Sequence, residues 1–382
     1  MSHNDRHMYE LEYPAPAVGD GASTGPTLVI AMQGYADAGH AVEGAAEHLK
    51  AALESRTVAT FSNDELIDYR SRRPTVTMAQ HEITNMEDLQ LDIRVLRDEK
   101  GTSFLLLSGP EPDLRWQAFS NAVADLVERF DVDKTICLYA APMGAPHTRP
   151  LVVSAHGNDR DLVGAMYTFD GMVTVPGSAA IMIERVLHNR GRAVAGYTAH
   201  VPHYVSASPY PQATYQLLQS VADASGLSFP LRALERDMKR VARQLAEQTE
   251  QSDEISQVVA ALEQHYDREM ESYRERHPNA MMPGEAQMPS GEEIGEAFEN
   301  FLAAIEDSHR DLEKRGWVLD SSDEPDEPDP ADLHEAGIAE DGDYHLAPDE
   351  LDNPEGPWME EDDPDDPANP DYPDGPGEPR EE

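Results

Sequence analysis

Cysteine, basic side chains and long apolar runs are all scarce in this chain, and each scarcity removes a class of protein. A single cysteine, Cys137, stands in 382 residues, so no intramolecular disulfide can form. Its place in the apolar run Thr135-Ile136-Cys137-Leu138-Tyr139 reads as a small buried hydrophobe with no local sign of thiol activation. With no Cys cluster and no H-E-x-x-H pattern, neither a metal nor a cofactor is expected. Lys and Arg number 29 against 74 Asp and Glu, a formal net charge of −45. That excess opposes sequence-independent binding to nucleic acid or to an anionic membrane and leaves room only for a local basic patch. No apolar run approaches the roughly 20 residues that cross a bilayer. The opening Met1-Ser2-His3-Asn4-Asp5-Arg6 is a polar arm without a secretory apolar core, so the cytoplasm is the expected location.

Acid and proline are abundant, and unevenly so. From Asp320 onward the chain carries 26 acidic residues against one basic residue, Arg380, with twelve prolines between Pro325 and Pro379. Like charges repel and little apolar area is available to offset backbone ordering, so a disordered acidic tail is expected over residues 319–382. The isolated Trp358-Met359 and Tyr372 within it suit a short recognition element.

Upstream, short apolar runs at Thr27–Met32, Thr57–Phe61, Leu91–Leu96, Ser103–Leu107, Lys134–Tyr139 and Ala193–Ala199 read as strands. Helical patterns lie between several of them, at Gly39–Leu53, Leu114–Phe130, Ser178–Asn189 and Gln212–Ala224. The alternation predicts an α/β domain over residues 8–226, with a largely parallel sheet flanked by helices and its site on the loops at the strands' carboxyl ends. After Gly226 the apolar spacing becomes three to four residues, through Leu231, Leu234, Met238, Val241 and Leu245 and then Ile255, Val258, Leu262 and Tyr266. A helical appendage over 227–318 is expected, with a further helix through Ile294, Phe298, Phe301, Ile305 and Leu312. It either docks on the α/β body or forms an oligomer seam or partner surface.

Five segments spend polar and aromatic residues where a core would not. Gly34-Tyr35-Ala36-Asp37-Ala38-Gly39 follows the first strand, where Asp37 either caps the next helix or meets a ligand beside free backbone N–H groups. Asp68-Tyr69-Arg70-Ser71-Arg72-Arg73-Pro74 gathers Arg70, Arg72 and Arg73, which either steer an anionic partner or pair with the protein's own carboxylates. In Gly109-Pro110-Glu111-Pro112-Asp113-Leu114-Arg115-Trp116, Asp113 is placed to cap a helix from Leu114, while Glu111 beside Arg115 suits either acid–base work or an ion pair. Pro146-His147-Thr148-Arg149-Pro150 holds Arg149 extended, as an anion clamp or as a lock onto Glu111 or Asp113. His200-Val201-Pro202-His203-Tyr204 ends the last strand, its His200 and His203 better suited to satisfying polar groups there than to holding zinc.

Together these segments resemble the PAC2 family, relatives of proteasome assembly chaperone 2. The resemblance implies a phosphorylase/hydrolase-like α/β core, common oligomerisation and a chaperone role for some members, with proteasome core subunits as the corresponding partner. One departure is the chain's ending, Pro379-Arg380-Glu381-Glu382, where proteasome-docking members carry a hydrophobic residue, Tyr and any residue.

Two functions fit. The first is a non-enzymatic, homo-oligomeric protein-binding or assembly factor, favoured because no complete set of nucleophile, base and orienting group is present. The alternative is a small-molecule enzyme or sensor that binds a phosphate, carboxylate or nucleotide among Asp37, Glu111, Arg115, His147, Arg149 and His203.

Overall fold

The run Thr27–Gln33 forms a strand buried on both faces, and its alternating side chains feed two separate cores. In a computed structural model, which describes residues 8–13, 18, 25–164, 166–278 and 280–285, this strand is β2, after β1 at Tyr9–Leu11. Val29 and Ala31 face a core shared with helices α1 (Ala41–Ala52), α6 (Pro211–Ser225) and α7 (Arg232–Glu250). Leu28, Ile30 and Met32 face the opposite core, shared with α3 (Trp116–Arg129) and α5 (Ala179–Asn189). Apolar residues on both faces leave a strand no solvent side, which places it at the centre of a covered sheet.

Among the described residues the sheet has eight strands. Beside β2 run β7 (Ser103–Pro110) and β8 (Lys134–Met143), both parallel to it, and β10 (Ala193–Pro202) lies parallel beyond β8. The flanks are antiparallel. Strand β6 (Asp92–Arg97) pairs with β7, β3 (Ser55–Phe61) pairs with β6, β1 pairs with β3, and β9 (Val153–Gly157) pairs with β10. The order is therefore β1-β3-β6-β7-β2-β8-β10-β9.

This corrects the expectation of a largely parallel sheet: four central strands are parallel and the remaining pairings are antiparallel. The reason lies in the connection between β6 and β7, residues 98–102, since a parallel crossover needs a dozen or more residues. Asp98 closes that short turn by accepting the N–H groups of Lys100 at 2.9 Å and Thr102 at 2.7 Å. A two-stranded hairpin, β4 (Val76–Ala79) with β5 (Glu82–Met86), stands outside the main sheet with every residue exposed. Short helices α2 (Asn63–Leu66) and α4 (Arg160–Val163) complete the α/β body.

The appendage expected after Gly226 begins as the predicted hairpin, α7 followed by α8 (Asp253–Arg276). Leu234, Val241 and Leu245 of α7 pack on the first core, and Tyr266 and Tyr273 of α8 join Val152, Tyr167 and Met282 in a small third core. Both helices thus dock on the α/β body. The N-terminal arm, the helix expected through Ile294–Leu312 and the acidic tail lie outside the described residues. Among the described residues, no helix is long and apolar enough to cross a membrane.

Candidate functional site

Because β7, β2, β8 and β10 point the same way, the loops that follow them meet at one edge of the sheet. They hold Gly34–His40, Glu111–Arg115, Gly144–Pro150 and His203–Val205, which brings together four of the five segments singled out in sequence.

In the first loop the Asp37 carboxylate accepts the N–H groups of Val42 at 2.7 Å and Glu43 at 3.2 Å, holding the first turn of α1. Burial pushes its pKa up against the pull of those donors. Glu111 is buried and bridges two elements. Its Oε1 accepts the Ala179 N–H at 2.7 Å, at the start of α5, and its Oε2 lies 3.4 Å from the Tyr35 N–H. Only glycine fits opposite: a Cβ on Gly34 would stand 2.3 Å from Glu111 Oε2.

Asp113 does not cap α3, as its position suggested. The helix starts at Trp116, after Arg115 turns through a left-handed φ of 57°. Asp113 instead accepts the Asp68 N–H at 2.9 Å and pairs with Arg72 Nε at 3.3 Å, tying the arginine loop to the loop after β7. Arg115 pairs with Glu65. Arg70 pairs within its own loop with Asp68 at 3.3 Å, which holds the Asp68 carboxyl below its usual range. Arg73 is exposed and has no ion-pair partner among the described residues.

Arg149 does not lock onto Glu111 or Asp113. Its Nε and Nη2 meet the two carboxylate oxygens of Asp267 at 2.8 and 2.9 Å, and its Nη1 meets Glu263 Oε1 at 3.1 Å, both on α8. Thr148 donates to the same Glu263, and the Tyr266 hydroxyl donates to the Pro150 carbonyl at 2.8 Å. Glu263, Tyr266 and Asp267 share one face of a helix by their spacing of three and four residues, so a single face of α8 grips Thr148, Arg149 and Pro150.

The two histidines after β10 part company. His200 is buried, 2.9 Å from Ser154 Oγ and stacked on Phe169, and burial lowers its pKa to about 4. His203 is exposed. His147 and His203 both pack edge-on against the Tyr204 ring; the His147 N–H donates to the Tyr204 hydroxyl at 2.7 Å, and its Nδ1 is the same distance from that oxygen. Burial lowers the His147 pKa as well, and its Nε2 is enclosed with no hydrogen-bond partner among the described residues.

Two features carried little sequence signal. Glu184 of α5 is a buried carboxylate that accepts from the Tyr139 hydroxyl at 2.6 Å and from His156 Nε2 at 2.9 Å, above Gly196. Its hydrogen bond raises the His156 pKa, while burial holds the Cys137 thiol well above its ordinary value. A lone Glu in the otherwise apolar stretch Ala179-Ala180-Ile181-Met182-Ile183-Glu184 was the one available signal. The second is the stretch before α5. Phe169 is held by His200, and Asp170 by Arg276 and His277, while Ser178 and Ala179 are fixed by the capping of α5. Between these anchors Met172 is 96% exposed and Val173 and Val175 are exposed too. Tyr35 and Leu114, on the loops joined through Glu111 and Asp113, also face solvent.

The model of the PAC2 family matches residues 31–249. A Corynebacterium glutamicum protein of unknown function is 61% identical, with a TM-score of 0.68 over 70% of this chain and 100% of that one. A Mycobacterium tuberculosis protein of unknown function is 45% identical, with a TM-score of 0.68 over 71% of this chain and 92% of the other. A second M. tuberculosis protein, described as a proteasome-assembly chaperone homologue, is 26% identical, with a TM-score of 0.56 over 61% of this chain and 99% of its own. No match is found among curated proteins.

Proposed function

The chain belongs to the PAC2 family, and on that footing we propose that it works in the cytoplasm as a non-catalytic, oligomeric protein-binding factor that assists assembly, with proteasome core subunits as the candidate partner. The observation that carries this reading is the composition of the strand-end edge. Its charged groups are largely spent within the protein: Asp113 on Arg72, Arg115 on Glu65, Arg149 on Asp267 and Glu263, and Glu111 on the backbone N–H of Ala179. What it displays to solvent includes a group of large apolar side chains, Tyr35, Leu114, Met172, Val173 and Val175, beside the polar His40, Thr174 and His203. A loop anchored at both ends that displays apolar side chains suits a protein partner, which recovers the free energy of covering them.

The alternative, an anionic small ligand, needs guanidinium groups free to bind it. Arg72, Arg115 and Arg149 already hold carboxylates, and a ligand would have to displace them. The similarity to a proteasome-assembly chaperone homologue supports the class of partner.

The test is affinity purification of the full-length protein from its own cells at low salt, with mass spectrometry of every retained protein. Enrichment of proteasome core subunits, unprocessed ones above all, is expected. Recovery of the protein alone, together with a rise in melting temperature on adding phosphate, carboxylates or nucleotides, would overturn the reading in favour of a ligand site.

A further inference from the structure

Helix α7 carries a basic ridge in an acidic protein. Arg232, Arg236, Lys239, Arg240 and Arg243 are all exposed, at spacings that place them within an arc of roughly 100° and along about 16 Å of helix. The opposite side holds Leu234, Val241 and Leu245, which pack on the core, so the ridge points away from the body. Arg240 has one ion pair, with Asp237 a turn before it at 3.0 Å. Arg232, Arg236, Lys239 and Arg243 have no ion-pair partner among the described residues.

A solvated face of mixed charge is the ordinary fate of such a helix, and two features argue otherwise here. Like charges stand three and four residues apart throughout the ridge, at Arg232 and Arg236, Arg236 and Arg240, and Lys239 and Arg243, an arrangement that destabilises a helix. The polarity also runs largely against the helix dipole: five cations stand between Arg232 and Arg243, where Glu235 is the acid of the first turn, and Glu247 and Glu250 occupy the last turn. Neither arrangement serves the helix itself, and both are relieved by an anionic partner.

We propose that the α7 ridge is a docking surface for an acidic segment of a partner protein, one presenting carboxylates along a short stretch that matches Arg232 to Arg243. The sign of the stripe changes at Glu247 and Glu250, which lie on the same face one and two turns beyond Arg243. A bounded acidic segment ends where they begin, whereas a continuous polyanion such as duplex DNA would run on into them. The net charge of −45 further opposes a long polyanion, and the four guanidinium forks suit carboxylates held two-pronged. This surface is separate from the strand-end loops, and the inference does not rest on the function proposed for them.

The experiment is fluorescence anisotropy with the full-length chain at low salt and three labelled probes: a helical peptide with glutamates at the ridge spacing, its glutamine analogue, and a duplex DNA. Binding of the glutamate peptide is expected, weakening on addition of salt, with the glutamine peptide and the DNA at least about tenfold weaker. The double variant R236E/R243E is expected to lose about tenfold or more in affinity while melting no lower than the parent, since it removes like-charge neighbours. The variant E247R/E250R extends the ridge and is expected to tighten binding of a correspondingly longer glutamate peptide. No binding of the glutamate peptide at low salt, equal affinity for R236E/R243E, or tighter binding of DNA would each overturn the proposal.

Discussion

Arg149 and Asp267 meet in a two-pronged ion pair, Nε to Oδ1 at 2.8 Å and Nη2 to Oδ2 at 2.9 Å, between a loop at the end of β8 and the middle of α8. The proline on either side of the segment restricts its backbone, and the fork geometry of the guanidinium selects a carboxylate facing it squarely. Arg149→Ala should therefore free α8 more than it unsettles the sheet. Hydrogen exchange should show the amides of α8 exchanging several-fold faster, with β2, β7 and β8 unchanged. Equal protection of α8 in the two proteins would mean that Tyr266 and Tyr273 hold the helix without the ion pair.

The Glu184 network gives a second outcome. Glu184 and Tyr139 are both buried, so Tyr139→Phe leaves Glu184 Oε1 without its 2.6 Å donor. The expected loss is about 1–3 kcal/mol in urea unfolding, the cost of an unsatisfied buried acceptor. Gly196→Ala should act on the same network from the sheet side. Its Cβ would stand 2.4 Å from His156 Cε1 and 2.6 Å from Glu184 Oε1, so the ring and the carboxylate must part, again at about 1–3 kcal/mol. Because both changes strike one network, the double variant should lose less than the sum of the two. Full additivity would show that the two residues act separately.

Two histidines pull the pH dependence in opposite directions. His200 has its pKa lowered to about 4 by burial, so the unfolded chain takes up a proton near pH 6.5 that the folded chain refuses until about pH 4. Stability should fall as pH drops through that window, by up to about 3 kcal/mol. His156 is the reverse case: its hydrogen bond to Glu184 raises the folded pKa, so its contribution is complete below about pH 6.5 and is lost as pH rises through the folded value. Urea midpoints measured from acid to alkaline pH should have a shallower acid-side slope in His200→Gln, where His147 still acts in the same direction, and should lose their alkaline-side slope in His156→Gln. Unchanged slopes in either variant would assign the dependence to other groups.

What could be read from the sequence was burial and punctuation. Thr27–Met32 announced a central strand by carrying apolar residues on both faces, and Gly34, Pro110, Pro146 and Pro202 marked where strands give way to loops. The hairpin of α7 and α8 was legible from apolar residues at helical spacing. Strand direction was not, because a run such as Leu91–Leu96 has the same pattern whichever way it pairs, and only the short connection to β7 settles it. The strand-end segments were legible as a group, but their partners were not. Arg149 reaches Asp267, far along the chain, and nothing local distinguishes that carboxylate from Glu111 or Asp113. The β4–β5 hairpin escaped because its exposed strands bury no face and so leave little hydrophobic period to detect.

The exposed loop before α5 is where the proposed function meets a direct test. Met172, Val173 and Val175 project from a segment fixed at one end by Phe169 on His200 and at the other by the Glu111 and Ser178 contacts to α5. Such side chains contribute nothing to the folded core, so M172S/V173S/V175S should melt within a degree or two of the parent, as surface changes away from the core do. Removal of three exposed apolar groups from a partner's contact area should still reduce capture several-fold in the low-salt purification, since a few central side chains dominate an interface. A variant that captures the same partners in the same amount would move the contact elsewhere. A variant that loses stability as well as partners would show instead that the loop supports the fold, and its loss of capture would then say nothing in favour of a docking edge.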